Sequence, residues 1–406
     1  MRLRIKEICD YVSRGTTPDY VDEGANKVMN QATFSKGWLD ESNIRYTSKA
    51  NKGARIMKGD LLMASTGGGV LGKVFFFDDD DSFYADSHVT IMRNSKGANL
   101  MKYLYYYFYL RYDEINATMV KGSTNQTELQ RNYLLSYELD VPTLADQQRM
   151  VTYLDTKLSE IDHQVSLLTS KRDAYLRLKK SIINHAVTRG LDPNVKMKDS
   201  GIEWIGEVPE HWDVKRMKDI CALSPNIKSC SEYEYGSYLP MEGLRLDQIE
   251  TSDELVSTLQ GKYTPFEDND LLVAKVTPCF ENGNIAIAKG LTNGVGFGSS
   301  EIFVLRANKY NNIRFLFYMS LSSKFQDKAC ATMCGVGGLK RISPLFMKTY
   351  IMAIPPSTEQ RAIATYLDDK CAKIDTIVSN LDKQISRYAD LKRSLIDEVI
   401  TGKRAV

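Results

Sequence analysis

Residues 152–168, TYLDTKLSEIDHQVSLL, return at 365–381 as TYLDDKCAKIDTIVSNL. The repeat runs without a gap from 141–190 to 354–403 at one offset, 366 − 153 = 213. Pro142, Gln147, Asp155, Ile161, Asp162, Val165 and Leu168 recur as Pro355, Gln360, Asp368, Ile374, Asp375, Val378 and Leu381. Fainter echoes lie upstream: RIKEIC (4–9) with RMKDIC (216–221), GDLLMA (59–64) with NDLLVA (269–274), and YLYY (103–106) with FLFY (315–318). Self-similarity at this scale means two tandem units, each a head of about 140 residues followed by a helix of about 45.

Within the repeat, Leu154, Leu158, Ile161, Val165, Leu168, Tyr175 and Ile182 step by fours and threes, with Arg172 and Lys179 as polar interruptions. The second copy runs Leu367, Cys371, Ile374, Val378, Leu381, Ile385, Tyr388, Lys392, Leu395, Val399. A 3.5-residue period held over about four heptads is a coiled-coil seam. The plainer alternative is an amphipathic helix lying on its own head. The natural partner of each helix is the other. At ~1.5 Å per residue, 154–186 spans roughly 49 Å. Parallel pairing would force the second head to bridge nearly that distance, whereas domain termini usually lie close together. The expected arrangement is therefore antiparallel and pseudo-two-fold, with one head at each end. Thr143 with Asp146, and Ser357 with Gln360, are expected to cap the helix starts. Gly190 and Gly402 are expected to stop them.

The expected fold class is α+β, divided into a head at 1–141, a spacer helix at 142–192, a linker at 193–210, a second head at 211–353 and a second helix at 354–406. The 43 % hydrophobic and 26 % charged content suits a soluble globular protein. The longest apolar run, YLYYYFYL at 103–110, is far short of the ~18 residues of a membrane span. The N-terminal MRLRIKEICD has no apolar export region, and seven scattered cysteines fit a reducing compartment, so a cytoplasmic location with no membrane partner is expected. Four histidines, none with ligand spacing, offer no metal site. Net charge is only +2, but 27–58 and 324–348 are locally basic, as a nucleic-acid footprint can be. For either run taken singly, a solvated face is the plainer reading.

Each head reads as short strands broken by Gly, Asn and Pro turns, plus one helix, at 99–116 and 311–327. The stripe of Tyr103, Tyr106, Tyr107 and Leu110 has helical spacing and reads as core. GGGVLGKV (67–74) approaches a phosphate-binding loop. However, Val74 stands where a magnesium-binding hydroxyl belongs, and VFFF promises a strand where that motif needs a helix. A nucleotide hydrolase is thus disfavoured. No catalytic constellation is recognisable among the histidines or in FFFDDDDSF, so the chain is expected to be non-catalytic. Four polar loops remain: STGGG (65–69), VKGSTNQTELQRN (120–132), KVTPCFENGN (275–284) and CGVGGLKRIS (334–343). Lys, Arg, Asn and Gln on loops suit reading of DNA base edges and phosphates. The candidates in head one, counting Lys73 beside the glycine loop, are Thr66, Gly68, Lys73, Lys121, Asn125, Gln126 and Arg131. Those in head two are Lys275, Thr277, Asn282, Lys340 and Arg341.

DSGIEWIGEVPEHWDVKRMKDI (199–220), KVTPCFENGN, IPPSTEQRAIATYLDDKCAKID (354–375) and the tandem head–helix plan resemble the specificity subunit of type I restriction–modification systems. The resemblance implies that each head is a target-recognition domain for one half of a bipartite double-stranded DNA site. It implies that the helices set the gap and dock two methyltransferase subunits, with restriction/translocase subunits completing the complex. S-adenosylmethionine, ATP and Mg would then sit on the partners, with no cofactor on this chain. Gln147, Gln360 and Arg361, at the helix starts, are candidates for the partner interface. A coiled-coil scaffold with protein-binding heads is the alternative.

Overall fold

A computed structural model describes residues 1–49, 51–95, 97–121, 127–227, 232–336 and 338–406. The chain divides into two compact units, Met1–Leu168 with Lys383–Val406, and Thr169–Asp382. Among the described residues no helix is long and apolar enough to cross a membrane.

In the first unit β1 (Tyr11–Arg14), β2 (Leu61–Ala64), β3 (Val74–Phe76) and β4 (Val89–Arg93) form an antiparallel sheet in the order β1-β4-β2-β3. A second sheet centres on the parallel pair Asn26–Met29 and Phe83–Ala85. Helix α1 (Ala98–Leu110) covers β2 and β3. Tyr103, Tyr106 and Tyr107 are buried, as the stripe predicted. A short hairpin, β5 (Val120–Lys121) and β6 (Glu128–Leu129), follows, and then the long helix α2 (Leu144–Arg189).

The second unit repeats the plan. Strands β7 (Cys221–Leu223), β8 (Leu271–Ala274), β9 (Ile285–Ile287) and β10 (Ile302–Ala307) are ordered β7-β10-β8-β9. A parallel pair, Tyr235–Leu239 with Val295–Gly298, again anchors the other sheet. Helix α3 (Ile313–Ser320), the hairpin β11 (Cys334–Val336) and β12 (Leu339–Arg341), and the long helix α4 (Ser357–Ile400) follow. Both heads bury the same ion pair in the sheet. Asp60 accepts from Arg93 at 2.6 Å and from the Met57 N–H, and Asp270 from Arg306 at 2.7 Å and from the Glu267 N–H. Burial raises the Asp60 pKa above its ordinary value against the opposing pull of Arg93.

Each head closes on itself before its long helix starts. Arg2–Arg4 pairs antiparallel with Glu138–Asp140, and Asp213–Arg216 with Ile351–Ile354. Three sequence expectations change here. Residues 193–210 are not a bare linker: Met197–Asp199 pairs with Glu207–Pro209, and Ile205 and Val208 enter the second core. Each single head helix is two. The first breaks at Arg111 before Tyr112–Thr118, and the second at Leu321–Ser322, where Ser322 caps Ser323–Ala331. Thr143 caps α2 by accepting from the Asp146 N–H, whereas Ser357 is already the first residue of α4 and its hydroxyl takes Arg361 Nη1. Gln360 turns sideways instead.

Both long helices begin in their own heads and continue against each other. Leu154, Leu158 and Ile161 share the first core with Leu395, Ile396, Val399 and Ile400, while Ile183, Ala186 and Val187 share the second with Ile363, Leu367 and Cys371. The lying-on-the-head alternative therefore holds for the first turns of each helix. Within each unit the pairing is antiparallel. In the second, Arg172 meets Asp382 and Lys179 meets Asp375; in the first, Tyr153 meets Arg404 and Asp162 meets Lys392. The polar interruptions Arg172 and Lys179, and Lys392 in the second series, are thus explained. Asp162 and Asp375 are repeat equivalents, as are Lys179 and Lys392, so the same 2.6 Å ion pair is made once in each unit. Such reciprocity is what self-complementary pairing of a duplicated element requires. Both stops hold: Gly190 and Gly402 take positive φ at +79° and +73°, the left-handed cap that glycine adopts without Cβ strain.

Candidate nucleic-acid interface

In both heads the two polar loops singled out from sequence lie side by side. In the first, Thr66 bridges Glu128 and the Leu129 N–H donates to the Ser65 carbonyl at 2.8 Å. In the second, Val276 bridges Arg341, and the Ile342 N–H donates to the Lys275 carbonyl at 2.9 Å. The loop after the inner sheet strand (β2 or β8) therefore zips onto the hairpin that precedes the long helix. This gives each head one polar rim on a rigid sheet.

The individual side chains differ in what they leave free. Thr66 Oγ1 lies 2.6 Å from His88 Nδ1, and Gly68 is exposed. Lys73 donates to the Ser35 carbonyl at 2.7 Å, and strand β3 follows it directly. A phosphate-binding loop needs a helix there, which removes the nucleotide-hydrolase reading. Arg131 is exposed but gives Nε and Nη2 to the Val12 carbonyl. Lys121 lies in β5, paired with Glu128. Asn125 and Gln126 fall outside the described residues.

In head two Lys275 reaches the Ser300 carbonyl at 2.6 Å over the Phe303 ring, and burial lowers its pKa. Thr277 is buried. Its hydroxyl donates to the Gly338 carbonyl and accepts from the Lys340 N–H, both at 2.9 Å, so it pins the hairpin. Thr277 is thereby corrected from reader to support, because its hydroxyl is buried and its donor and one lone pair are spent on the hairpin backbone. Asn282 and Lys340 are exposed. Arg341 is exposed and forked onto Glu301, with Nε 2.9 Å and Nη2 2.9 Å from its oxygens. The same contact holds the Glu301 carboxyl below its ordinary pKa. Arg14, Glu128 and Glu301 were not singled out from sequence. They become visible only when segments 114 and 40 residues apart are brought together.

Gln147 and Gln360 are corrected as partner contacts. They are 3 % and 1 % exposed. Each donates Nε2 to the carbonyl of the proline five residues earlier, Pro142 and Pro355, at 2.9 Å. Gln360 Oε1 also accepts from the Asn312 N–H at 2.7 Å, which fixes the start of α3 to the start of α4. Arg361 stays exposed, with Nη1 3.0 Å from Ser357 Oγ. Beside it His211, Tyr310, Pro355, Pro356 and Ser357 line a groove of about 660 Å³.

A second duplicated contact ties head to helix. Asp155 takes Lys102 at 2.7 Å and the Tyr106 hydroxyl at 2.6 Å. Asp368 takes Arg314 at 2.6 Å and the Tyr318 hydroxyl at 2.7 Å. Burial, then the bond to aspartate, pushes both tyrosines well above their ordinary pKa. The signal was present in the sequence, as a base and a tyrosine four residues apart in each head and the repeated TYLD in each helix.

A solved chain described under the structural basis of complex assembly and conformational transition of the type I R-M system shares the fold. Its TM-score is 0.70 over 98 % of this chain and 97 % of that one, at 13 % identity. The specificity subunit of the Escherichia coli type I restriction enzyme EcoEI is 28 % identical over 199 residues, 48 % of this chain and 33 % of that protein. The EcoAI subunit matches to the same extent at 27 % identity, so the aligned stretch spans a third of either relative. A putative MjaX specificity subunit from Methanocaldococcus jannaschii is 22 % identical over 98 % of this chain and 92 % of its own length. The family model for the type I restriction modification DNA specificity domain matches residues 1–167 and again 209–387. With most of its length matched in two successive copies, the chain belongs to the type I restriction–modification DNA specificity family.

Proposed function

We propose that this chain is the non-catalytic DNA-reading subunit of a cytoplasmic type I restriction–modification complex. Each head reads one half of a bipartite double-stranded DNA site through its paired loops, and the long helices set the gap between the halves. Two methyltransferase subunits dock on the chain, with the exposed Arg361 and the neighbouring groove as one docking face. Restriction/translocase subunits complete the assembly, and S-adenosylmethionine, ATP and Mg belong to the partners. The observation that carries this reading is the repetition of one polar rim, on the same sheet order, in two heads whose helices pair antiparallel.

The test is methylome sequencing of a host expressing the chain with its methyltransferase subunits. The expected result is a motif of two specified halves around an unspecified gap. Binding to that site should weaken steeply as salt rises, because released counterions dominate the affinity. Uniform weak affinity for every duplex, with no motif, would favour the scaffold with protein-binding heads.

A further inference from the structure

Glu128 and Arg341 occupy the same place in the two rims. They are separated by the repeat offset, 341 − 128 = 213, and each forms the bridge between its hairpin and the neighbouring loop. Their charges are opposite, and each is held by an opposite charge from elsewhere in its own head. Arg341 gives Nε and Nη2 to the Glu301 carboxylate. Glu128 accepts from Arg14 Nη1, while Arg14 Nε and Nη2 are fixed on the Ser87 carbonyl at 2.9 and 2.6 Å.

A guanidinium has five N–H groups in a rigid fork. Glu301 occupies the Nε side, which leaves the Nη1–Nη2 edge of Arg341 open and aimed, with 48 % of the side chain exposed. That edge matches O6 and N7 of guanine in the major groove. A phosphate contact would be poorly served here, because the adjacent carboxylate cancels the charge that attracts the backbone. At the equivalent place in head one, Glu128 offers only acceptors, which suit the N4 amino group of cytosine and repel phosphate.

Resting on the DNA-reading function above, we infer that Arg341, aligned by Glu301, specifies a guanine in one half-site, and that Glu128, aligned by Arg14, specifies a cytosine in the other. Glu301 and Arg14 are positioning residues. The duplication thus read two different half-sites by reversing one ion pair at a fixed position in the rim.

The experiment uses the full chain with its methyltransferase subunits and maps methylated sites for wild type, R341A, R341K, E301Q and E128Q. R341A should make one G·C position in one half-site degenerate. Its preference there should fall about tenfold to a hundredfold, with the other half-site unchanged. R341K keeps the charge but not the fork, so it should show the same degeneracy. E301Q should relax that position partially. E128Q should relax one C·G position in the opposite half-site only. If R341A weakens all sites equally and R341K restores them, Arg341 is a phosphate contact and the inference fails. A bipartite motif that stays unchanged in R341A also removes it, and leaves the DNA-reading function standing. A wild-type complex with no bipartite motif removes both.

Discussion

The long helices and the loop rims are products of the same duplication, yet they differ in what was kept. Across the helices one contact is kept in kind: Asp162 and Asp375 each meet a lysine at the matching position of the other helix. Across the rims the sign flips, from Glu128 held by Arg14 to Arg341 held by Glu301. A helix whose partner is its own duplicate must remain complementary to itself, so both copies carry the same constraint. In the proposed function a rim faces a ligand of its own, and each copy is free to change with that ligand. On that reading the difference separates what holds the molecule in shape from what gives it selectivity.

The largest expected effect probes the shared frame. Asp60→Ala and Asp270→Ala each remove the carboxylate from a buried ion pair, leave a backbone N–H without its partner, and leave Arg93 with the Arg55 carbonyl and Arg306 with Glu267. Each should cost about 3 kcal/mol in chemical denaturation, the low end for breaking a buried pair, since Arg93 and Arg306 keep some water. Equal losses in the two units support equivalent frames. A loss confined to one would break the comparison.

A middle-sized effect is expected at the head–helix clamps. Asp155→Ala and Asp368→Ala should each cost about 1–2 kcal/mol, typical for hydrogen bonds to a charged group and discounted for partial exposure. Both substitutions should leave the methylated motif unchanged. A motif altered in one half by either variant would place that clamp in recognition and not in support.

The smallest effect concerns the seam. A double-mutant cycle on Lys179 and Asp375 should give a coupling of about 0.5 kcal/mol, the ordinary range for exposed pairs, and the cycle on Lys392 and Asp162 should give the same value. A coupling near zero in one cycle alone would show that the two pairings are not equivalent in solution.

The helices were legible in the sequence because their constraints are local and periodic. The seam, the Thr143 cap and the Gly190 and Gly402 stops follow from spacing, and the antiparallel pairing from the short reach of a compact second head. The rims were legible only as regions. STGGG and KVTPCFENGN stood out as polar loops, and only the folded chain sets them against their hairpins. Which side chains they leave free depends on distant backbone: Lys73 is taken by Ser35, Lys275 by Ser300 and Thr277 by the hairpin itself. Gln147 and Gln360 misled because a place at a helix start marks structural need as readily as contact with a partner. Their amides hold the proline turns at the helix starts. Residues 193–210, expected as a linker, instead pair as a hairpin that places Ile205 and Val208 in the second core.

In the proposed function the paired helices set the distance between two independently read half-sites. Insertion of one heptad at the matching point of each helix keeps the seam in phase and adds about 10.5 Å, or about three base pairs of duplex. Methylome sequencing of that variant with its methyltransferase subunits should return both half-site sequences unaltered around a gap about three base pairs longer. An unchanged gap around intact half-sites would contradict the account.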